Sequence, residues 1–302
     1  MPTPFIIDTD CGIDDAVAIL MALYHPAADV VGITTLSGNV KREHVTRNVC
    51  DLLSYVDHTD IPVFEGADRP LVQDPVLATS IHGPTGLGTV DLPESGKAPV
   101  SANAAAGIAD MLRKHPGATV VALGPLTNIA ITLNMYPEVA EQIGSLVIMG
   151  GALHTGNVTR FAEFNFFADP EAADVVLRSG VPLTIVPWEA CMASRMNRER
   201  LAEAVGNQAR KGKLVQDLQE WIFRFMEKRY GEAFTSLADP VAMAVALDPN
   251  VVWARHDGNL KMELGHNALR GASVPWNGSG MNIIDELDME AFVAMLQDVF
   301  TT

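Results

Sequence analysis

Residues 6–17 read Ile6-Ile7-Asp8-Thr9-Asp10-Cys11-Gly12-Ile13-Asp14-Asp15-Ala16-Val17. The apolar start of this segment predicts a buried strand, Gly12 permits a tight turn, and a helical pattern begins after Ile13. Short apolar runs recur along the chain, and the candidate strands are 5–8, 30–35, 119–123, 146–149, 183–186 and 260–264. Helical patterns lie between and after them, at 15–24, 42–56, 102–114, 170–179, 201–230 with a break, 240–247 and 289–300.

Strands that alternate with helices in this way indicate an α/β fold. We predict an open, mostly parallel (mixed) sheet flanked by helices, in a single domain that covers residues 1–302. Ligands of such sheets bind beyond the carboxyl ends of the strands. Polar motifs that directly follow a predicted strand are therefore the candidates for function.

The chain of 302 residues is acidic, with 21 Lys and Arg against 37 Asp and Glu and a formal net charge of −16. This balance argues against a nucleic acid polymer as partner, because such binders need a basic face. Cys11, Cys50 and Cys191 are widely spaced, which argues against a disulfide framework and favours a reducing compartment. The chain shows neither a signal-peptide pattern nor the ~20 consecutive apolar residues of a membrane span. We expect a soluble cytoplasmic protein without a membrane partner.

Four carboxylates, those of Asp8, Asp10, Asp14 and Asp15, fall within the opening segment. Helix capping explains one or two of them, and capping alone is the alternative interpretation. Two carboxylates ~4 Å apart repel by about 4 kcal/mol at an effective dielectric of ~20, so the cluster needs a compensating cation, protons or hydrogen bonds. Oxygen ligands without a nearby His or Cys favour a hard ion, Ca²⁺ or Mg²⁺.

The pattern D-x-D-x-G-x-D-D-A over residues 8–16 resembles the signature of the inosine/uridine-preferring nucleoside hydrolases. Further blocks follow in the family's order over essentially the whole chain: Gly38-Asn39, Ile81-His82-Gly83-x-x-Gly86-Leu87-Gly88, Gly124-Pro125-Leu126-Thr127-Asn128, Met149-Gly150-Gly151, Gly156-Asn157-Val158-Thr159, Ala162-Glu163-Phe164-Asn165, Phe167-Ala168-Asp169-Pro170-Glu171-Ala172 and Asp239-Pro240-Val241-Ala242. The resemblance implies a Rossmann-like nucleoside hydrolase fold. It also implies hydrolysis of the N-glycosidic bond of ribonucleosides to ribose and a free purine or pyrimidine base, as in base salvage. Similar proteins are dimers or tetramers, so the resemblance also implies a homodimer or homotetramer.

The family's metal site, carried onto this chain, implies one Ca²⁺ held by Asp10, Asp15, Asp239 and the backbone carbonyl of Leu123. Asp10 would also be the general base that activates a metal-bound water. From local sequence alone, Asp239 is instead a good N-cap for the helix that Pro240 begins.

The resemblance also implies the ribose contacts. Asp14 would accept a hydrogen bond from the 2′-hydroxyl, and Asn165 would bind the 3′-hydroxyl. Glu163 and Asn157 would bind the 5′-hydroxyl. Asn39 would lie near the ribose, and Met149 would pack against the sugar. By local sequence, the two asparagines beside glycine are equally turn residues, and the methionine is equally a core residue. His82 and Tyr230 are candidates for contact with the base, the latter in a helix end at 225–230 that resembles the family's mobile wall.

Ala238 departs from the family, in which many members place a His directly before the late Asp to protonate the leaving base. Three interpretations stay open: His82 or Tyr230 supplies the proton, the preferred base leaves by another route, or the protein is a weakly active or non-catalytic ribose- or nucleoside-binding protein. A Mg²⁺-dependent phosphohydrolase that uses Asp8 as nucleophile is a further alternative. Pro187-Trp188-Glu189 replaces the Gly-Leu-Asp of close members, with no predicted role for the tryptophan. The preferred nucleobase is not predicted.

Overall fold

A computed structural model describes residues 1–207 and 209–301. Its strands are β1 Thr3–Thr9, β2 Ala28–Thr35, β3 Val63–Glu65, β4 Ala118–Ala122, β5 Ile143–Met149, β6 Leu183–Val186, β7 Val252–Gly258, β8 Leu260–Met262, β9 Ser273–Pro275 and β10 Met281–Leu287. Its α-helices are α1 Ile13–Tyr24, α2 Arg42–Tyr55, α3 Thr79–His82, α4 Ala104–Lys114, α5 Thr127–Met135, α6 Phe164–Ala168, α7 Pro170–Leu177, α8 Trp188–Met192, α9 Arg198–Val205, α10 Arg210–Tyr230, α11 Ala238–Leu247 and α12 Met289–Phe300. Two 3₁₀-helices, Pro137–Gln142 and Pro249–Val251, join neighbouring elements.

Eight strands form one sheet in the order β3-β2-β1-β4-β5-β6-β10-β7. All neighbouring pairs are parallel except β10 and β7, which are antiparallel. The chain builds outward from β1 in one direction through β2 and β3, and then in the other through β4, β5 and β6. This reversal beside β1 opens a crevice at the carboxyl ends of β1 and β4. The predicted α/β class with a mostly parallel sheet is confirmed.

Strand β1 shows why the sheet is buried on both faces. Its residues Phe5 and Ile7 join one apolar core, which α1, α2, α10, α11 and α12 cover. The intervening Ile6 joins a second core under α4, α5 and α7. Because alternate side chains point to opposite faces, a strand with helices on both sides reads as a continuous apolar run.

The predicted strands at 5–8, 30–35, 119–123, 146–149 and 183–186 all lie in the large sheet, with ends that differ by a few residues. The strand predicted at 260–264 corresponds to β8, which ends earlier, at Met262. It pairs with β9 in a separate two-stranded sheet. The predicted break in 201–230 separates α9 from α10, where Gly206 has a φ of 66° that ends the first helix. Strands β3, β7, β9 and β10 and helices α3, α5, α6 and α8 were not predicted. Within the described part of the chain, no helix is both long and apolar enough for a membrane span.

Candidate active site

The acidic cluster is assembled by three elements that meet at the crevice. Asp10 follows the end of β1, Asp14 and Asp15 occupy the first turn of α1, and Asp239 lies in the first turn of α11. Helices α1 and α11 pack against each other, so residues far apart in sequence become neighbours. The sequence-predicted carboxylates therefore lie together at the carboxyl edge of the sheet.

Carboxylate oxygens of Asp14, Asp15 and Asp239 all lie within 4.8 Å of one another. Burial, together with the charge of Asp14, raises the pKa of Asp239 well above its usual range and also raises that of Asp15. Burial raises the pKa of Asp14 to about 6. Burial and the charge of Asp15 raise the pKa of Asp10 well above its usual range, although Asp10 is outside the set of three.

His82 does not neutralise this cluster, although its Nδ1 lies 3.8 Å from Oδ1 of Asp14. That nitrogen accepts a hydrogen bond from the backbone N–H of Ile13 at 3.1 Å, which assigns the ring proton to Nε2. Burial lowers the pKa of His82 to about 4, so the ring is neutral at pH 7. A largely buried, oxygen-only set of carboxylates, with no cationic neighbour among the residues that the structure describes, fits a hard divalent cation such as Ca²⁺ or Mg²⁺.

Asp10 is held in a narrow slot between two glycines. A Cβ at Gly38 would lie 2.1 Å from Oδ2 of Asp10, and one at Gly124 would lie 3.0 Å from its Oδ1. Asn39 fixes the carboxylate from a third side, with its backbone N–H at 2.7 Å from Oδ2 and its Nδ2 at 3.1 Å from Oδ1. The same Nδ2 donates to Oδ2 of Asp15 at 2.9 Å. The structure thus places Asn39 as a bridge between two carboxylates, a role that the sequence did not predict.

Capping accounts for part of the cluster but not for all of it. Asp15 accepts from the backbone N–H of Gly12 at 2.9 Å, as a capping residue does, and from the hydroxyl of Thr9 at 2.6 Å. Asp239 lies in the first turn of α11, where Leu237 is the N-cap, so the local expectation that Asp239 caps this helix is wrong. Neither bond explains why Asp14 and Asp239 converge on the same point.

Asp8 forms its hydrogen bonds with residues outside the acidic cluster. Its Oδ1 accepts from the hydroxyl of Thr34 on β2 and from Nδ2 of Asn128 on α5. Its Oδ2 is buried and has no hydrogen-bond partner among the described residues, and burial raises its pKa to about 6. These contacts tie Asp8 to strand β2 and helix α5.

A second group of polar residues lies beside the acidic cluster, at the ends of β4 and β5. Nδ2 of Asn165 donates to the carbonyl of Leu123 at 2.8 Å and to that of Met149 at 2.9 Å. The predicted metal-ligand carbonyl and two predicted sugar contacts are therefore in direct contact with one another. Asn165 connects the two strand ends.

Glu163 is the buried acid of this second group and the N-cap of α6. Its carboxylate accepts from the backbone N–H groups of Asn165 at 2.8 Å, Phe166 at 3.2 Å and Gly151 at 3.0 Å. Burial outweighs these bonds and a further one from Asn157, and raises the pKa of Glu163 to about 7. Oδ1 of Asn157 in turn accepts from the N–H of Phe164 at 2.8 Å.

A family model described as inosine-uridine preferring nucleoside hydrolase matches residues 5–294. The chain belongs to this family. The predicted family and the predicted enzyme class, an N-ribosyl hydrolase or nucleosidase, are confirmed.

Relatives within the nucleoside hydrolase family differ in the base that their names specify. The pyrimidine-specific ribonucleoside hydrolases RihA of Salmonella newport (strain SL254) and Escherichia coli O127:H6 are each 34% identical over 307 residues, which cover 99% of this chain and 98% of theirs. A solved plant nucleoside hydrolase is 29% identical with a TM-score of 0.94 and covers 100% of both chains. The purine-preferring ribonucleoside hydrolase of Gardnerella vaginalis is 29% identical with a TM-score of 0.92 and covers 99% of this chain and 98% of its own.

Ala238 and Tyr230 are two of the positions that the sequence connects with the leaving base. Ala238 is buried at the start of α11 and carries no proton donor, as the sequence predicts. Tyr230 ends α10 with 60% of its surface exposed. Its hydroxyl accepts from Nε of Arg229, and its ring lies 6.3 Å from that of Phe234. The contacts described for Tyr230 do not bring it to the acidic cluster.

Two side chains that the sequence did not single out fix the short helix α3, which ends at His82, and the loop after it. Nε1 of Trp221 on α10 donates to the carbonyl of Ile81 at 2.6 Å, and Nδ2 of Asn48 donates to the carbonyl of Thr85 at 2.7 Å. Neither residue belongs to a family block, so neither carried a local signal. Glu189, by contrast, lies in α8 shortly after the end of β6, and its position close to a strand end was a usable signal.

Proposed function

We propose that the protein hydrolyses the N-glycosidic bond of ribonucleosides to ribose and a free purine or pyrimidine base, with Ca²⁺ as cofactor. The observation that carries this proposal is the convergence of Asp14, Asp15 and Asp239 beside the polar group around Glu163 and Asn165. One group of residues suits a divalent cation, and the other suits the hydroxyls of a sugar.

The residues that would hold Ca²⁺ are Asp10, Asp15, Asp239 and the carbonyl of Leu123. When bound, the ion lowers the pKa of a water molecule at the site and neutralises the cluster's charge. Asp14 belongs to the convergent set and is assigned here to the 2′-hydroxyl of the ribose. Its partly exposed side chain is compatible with contact to a ligand.

Asp10 is the general base in this proposal. Its slot between two glycines and its bonds to Asn39 leave the carboxylate one orientation, which is what proton abstraction from an attacking water requires. Asn165 binds the 3′-hydroxyl, and Glu163 with Asn157 binds the 5′-hydroxyl. The buried side chains of Asn165 and Glu163 would reject sugars that lack a hydroxyl, because each side chain would be left without its partner.

His82 is the proposed partner of the leaving base, with Tyr230 as the second candidate. The neutral ring of His82 offers Nε2–H as a hydrogen-bond donor at the edge of the site. Tyr230 would have to reach the base from the exposed end of α10. We also propose that residues 1–302 form a single domain and that the protein is a homodimer or homotetramer. Its proposed role is base salvage in the cytoplasm.

The test is a panel of purine and pyrimidine ribonucleosides, assayed for free ribose with Ca²⁺ and after chelation. We expect ribose release with Ca²⁺, a loss after chelation that added Ca²⁺ restores, and a fall of at least about 10³-fold in kcat for Asp10→Ala. The isosteric Asp10→Asn separates loss of the base from loss of packing. Absence of ribose release from every nucleoside would overturn the enzyme proposal.

A second candidate, a weakly active or non-catalytic nucleoside-binding protein, is favoured by Ala238 alone. Calorimetry that finds nucleoside binding without ribose release would support it. Phosphate release from phosphomonoesters with Mg²⁺ would instead support a phosphohydrolase. Asp8 gives that alternative little support, because its carboxylate is fully buried and is tied through Oδ1 to β2 and α5.

A further inference from the structure

The carboxylate of Glu189, on the short helix α8, accepts hydrogen bonds from three consecutive backbone amides of the loop after β5. The N–H of Leu153 lies 3.1 Å from both carboxylate oxygens, and those of His154 and Thr155 lie 2.7 and 2.9 Å from Oε1. The backbone N–H of Trp188 donates in return to the carbonyl of Gly151 at 2.9 Å. Helix α8 and this loop are thus joined by five hydrogen bonds, each of which involves a backbone N–H group.

The loop concerned, residues 150–157, ends at a proposed substrate contact. Just before the amides that Glu189 binds, the N–H of Gly151 donates to Glu163. Two residues after Thr155, Asn157 bonds to Glu163 and to the N–H of Phe164. The loop therefore runs between two carboxylates, one inside the candidate site and one outside it.

Apolar packing does little to fix the middle of this loop. His154, Thr155 and Asn157 are exposed, and Leu153 is only half-buried. Burial raises the pKa of Glu189, but the hydrogen bonds from the amides of Thr155, His154 and Leu153 together lower it by more. The pKa of Glu189 is therefore below its usual value. The group thus stays ionised at neutral pH, and charge-assisted hydrogen bonds of this kind are stronger than neutral ones.

We infer that Glu189 is a positioning residue, which holds loop 150–157 so that Asn157 faces Glu163 and thereby sets the selectivity for a ribose 5′-hydroxyl. The inference rests on the proposed function, in which Asn157 and Glu163 bind that hydroxyl. Glu189 itself is not assigned a contact with the substrate.

The matched variants are Glu189→Gln, which keeps the shape and removes the charge, and Glu189→Asp, which keeps the charge on a shorter side chain. Asp288→Ala is the control, because Asp288 likewise accepts two backbone N–H bonds, from Glu290 and Ala291, at the start of α12. The kinetic readout is kcat/KM for the best ribonucleoside of the panel and for its 5′-deoxy analogue.

For Glu189→Gln we expect kcat/KM to fall about tenfold on the ribonucleoside and to stay within about twofold on the 5′-deoxy analogue. Glu189→Asp should recover part of the loss, and Asp288→Ala should leave the ratio of the two substrates unchanged. An equal fall on both substrates would mean a general structural role and would overturn the inference.

Amide hydrogen exchange provides a readout that does not need activity. Glu189→Gln should speed exchange at residues 153–157 at least about tenfold, with unchanged exchange in β1 and β4. Unchanged exchange in the loop would overturn the inference even if the protein hydrolyses nucleosides. Faster exchange in a protein that releases no ribose would leave the loop anchor intact and reject the proposed function instead.

Discussion

Gly38→Ala is the substitution that most directly tests the slot around Asp10. A Cβ at this position would lie 2.1, 2.8 and 2.9 Å from Oδ2, Cγ and Cβ of Asp10, whereas ordinary van der Waals contact begins at 3.4 Å. The carboxylate therefore has to move by more than ~1 Å, and a misplacement of about 1 Å costs on the order of 10²-fold in rate. We expect kcat on the best ribonucleoside to fall about 100-fold.

Gly124→Ala is the matched comparison, because the nearest atoms to its Cβ also belong to Asp10 but lie at 2.9, 3.0 and 3.1 Å. Asp10 then has to yield by only a few tenths of an ångström, and we expect a loss of about threefold to tenfold. Circular dichroism and thermal unfolding of both variants separate misplacement of Asp10 from loss of the fold. Full activity of a folded Gly38→Ala, or a larger loss for Gly124→Ala, would refute the geometric reasoning.

Two further predictions concern acids of the site. Burial raises the pKa of Glu163 from 4.5 to about 7. Between these pH values the folded chain holds a proton that the unfolded chain has released, and this proton binding stabilises the folded state. The stabilisation is complete below pH 4.5 and is lost as the pH rises through about 7. Chemical denaturation of the chelated protein should show that Glu163→Gln removes about 3 kcal/mol of this pH dependence; parallel curves for the two proteins would contradict it. Asp239→Asn should weaken Ca²⁺ binding at least about tenfold in calorimetry while the far-ultraviolet circular dichroism is preserved, and an unchanged affinity would remove Asp239 from the ligand set.

The acidic cluster was predictable because its chemistry is local. Asp10, Asp14 and Asp15 stand within one strand–turn–helix segment, and their mutual repulsion already required compensation. The role of Asp239 as a metal ligand could be predicted only from the family pattern, because its own neighbourhood in the sequence suggests a helix cap. The packing of α1 against α11, which brings it to the others, is a tertiary contact that no local pattern encodes.

Asn39 and Tyr230 illustrate what sequence patterns do not determine. The bonds from Nδ2 of Asn39 to two carboxylates were not predicted, because partners across a loop depend on three-dimensional placement. Tyr230 is 60% exposed at a helix end, and its contact with the base stays a prediction. In the fold, β7 was missed because an edge strand with mixed burial lacks the continuous apolar run of β1.

The placement of β1 in the middle of the sheet has a consequence for how the chain acquires its site. During synthesis Asp10, Asp14 and Asp15 emerge first, whereas Asp239 is added more than two hundred residues later. The cluster closes only after β4 has paired with β1 and α11 has packed on α1, which are contacts of long sequence separation. A cation that needs all of these carboxylates thus binds only after Asp239 has joined the cluster, and its affinity adds directly to the stability of that folded state. Cation uptake would therefore follow the last step of folding and stabilise its product.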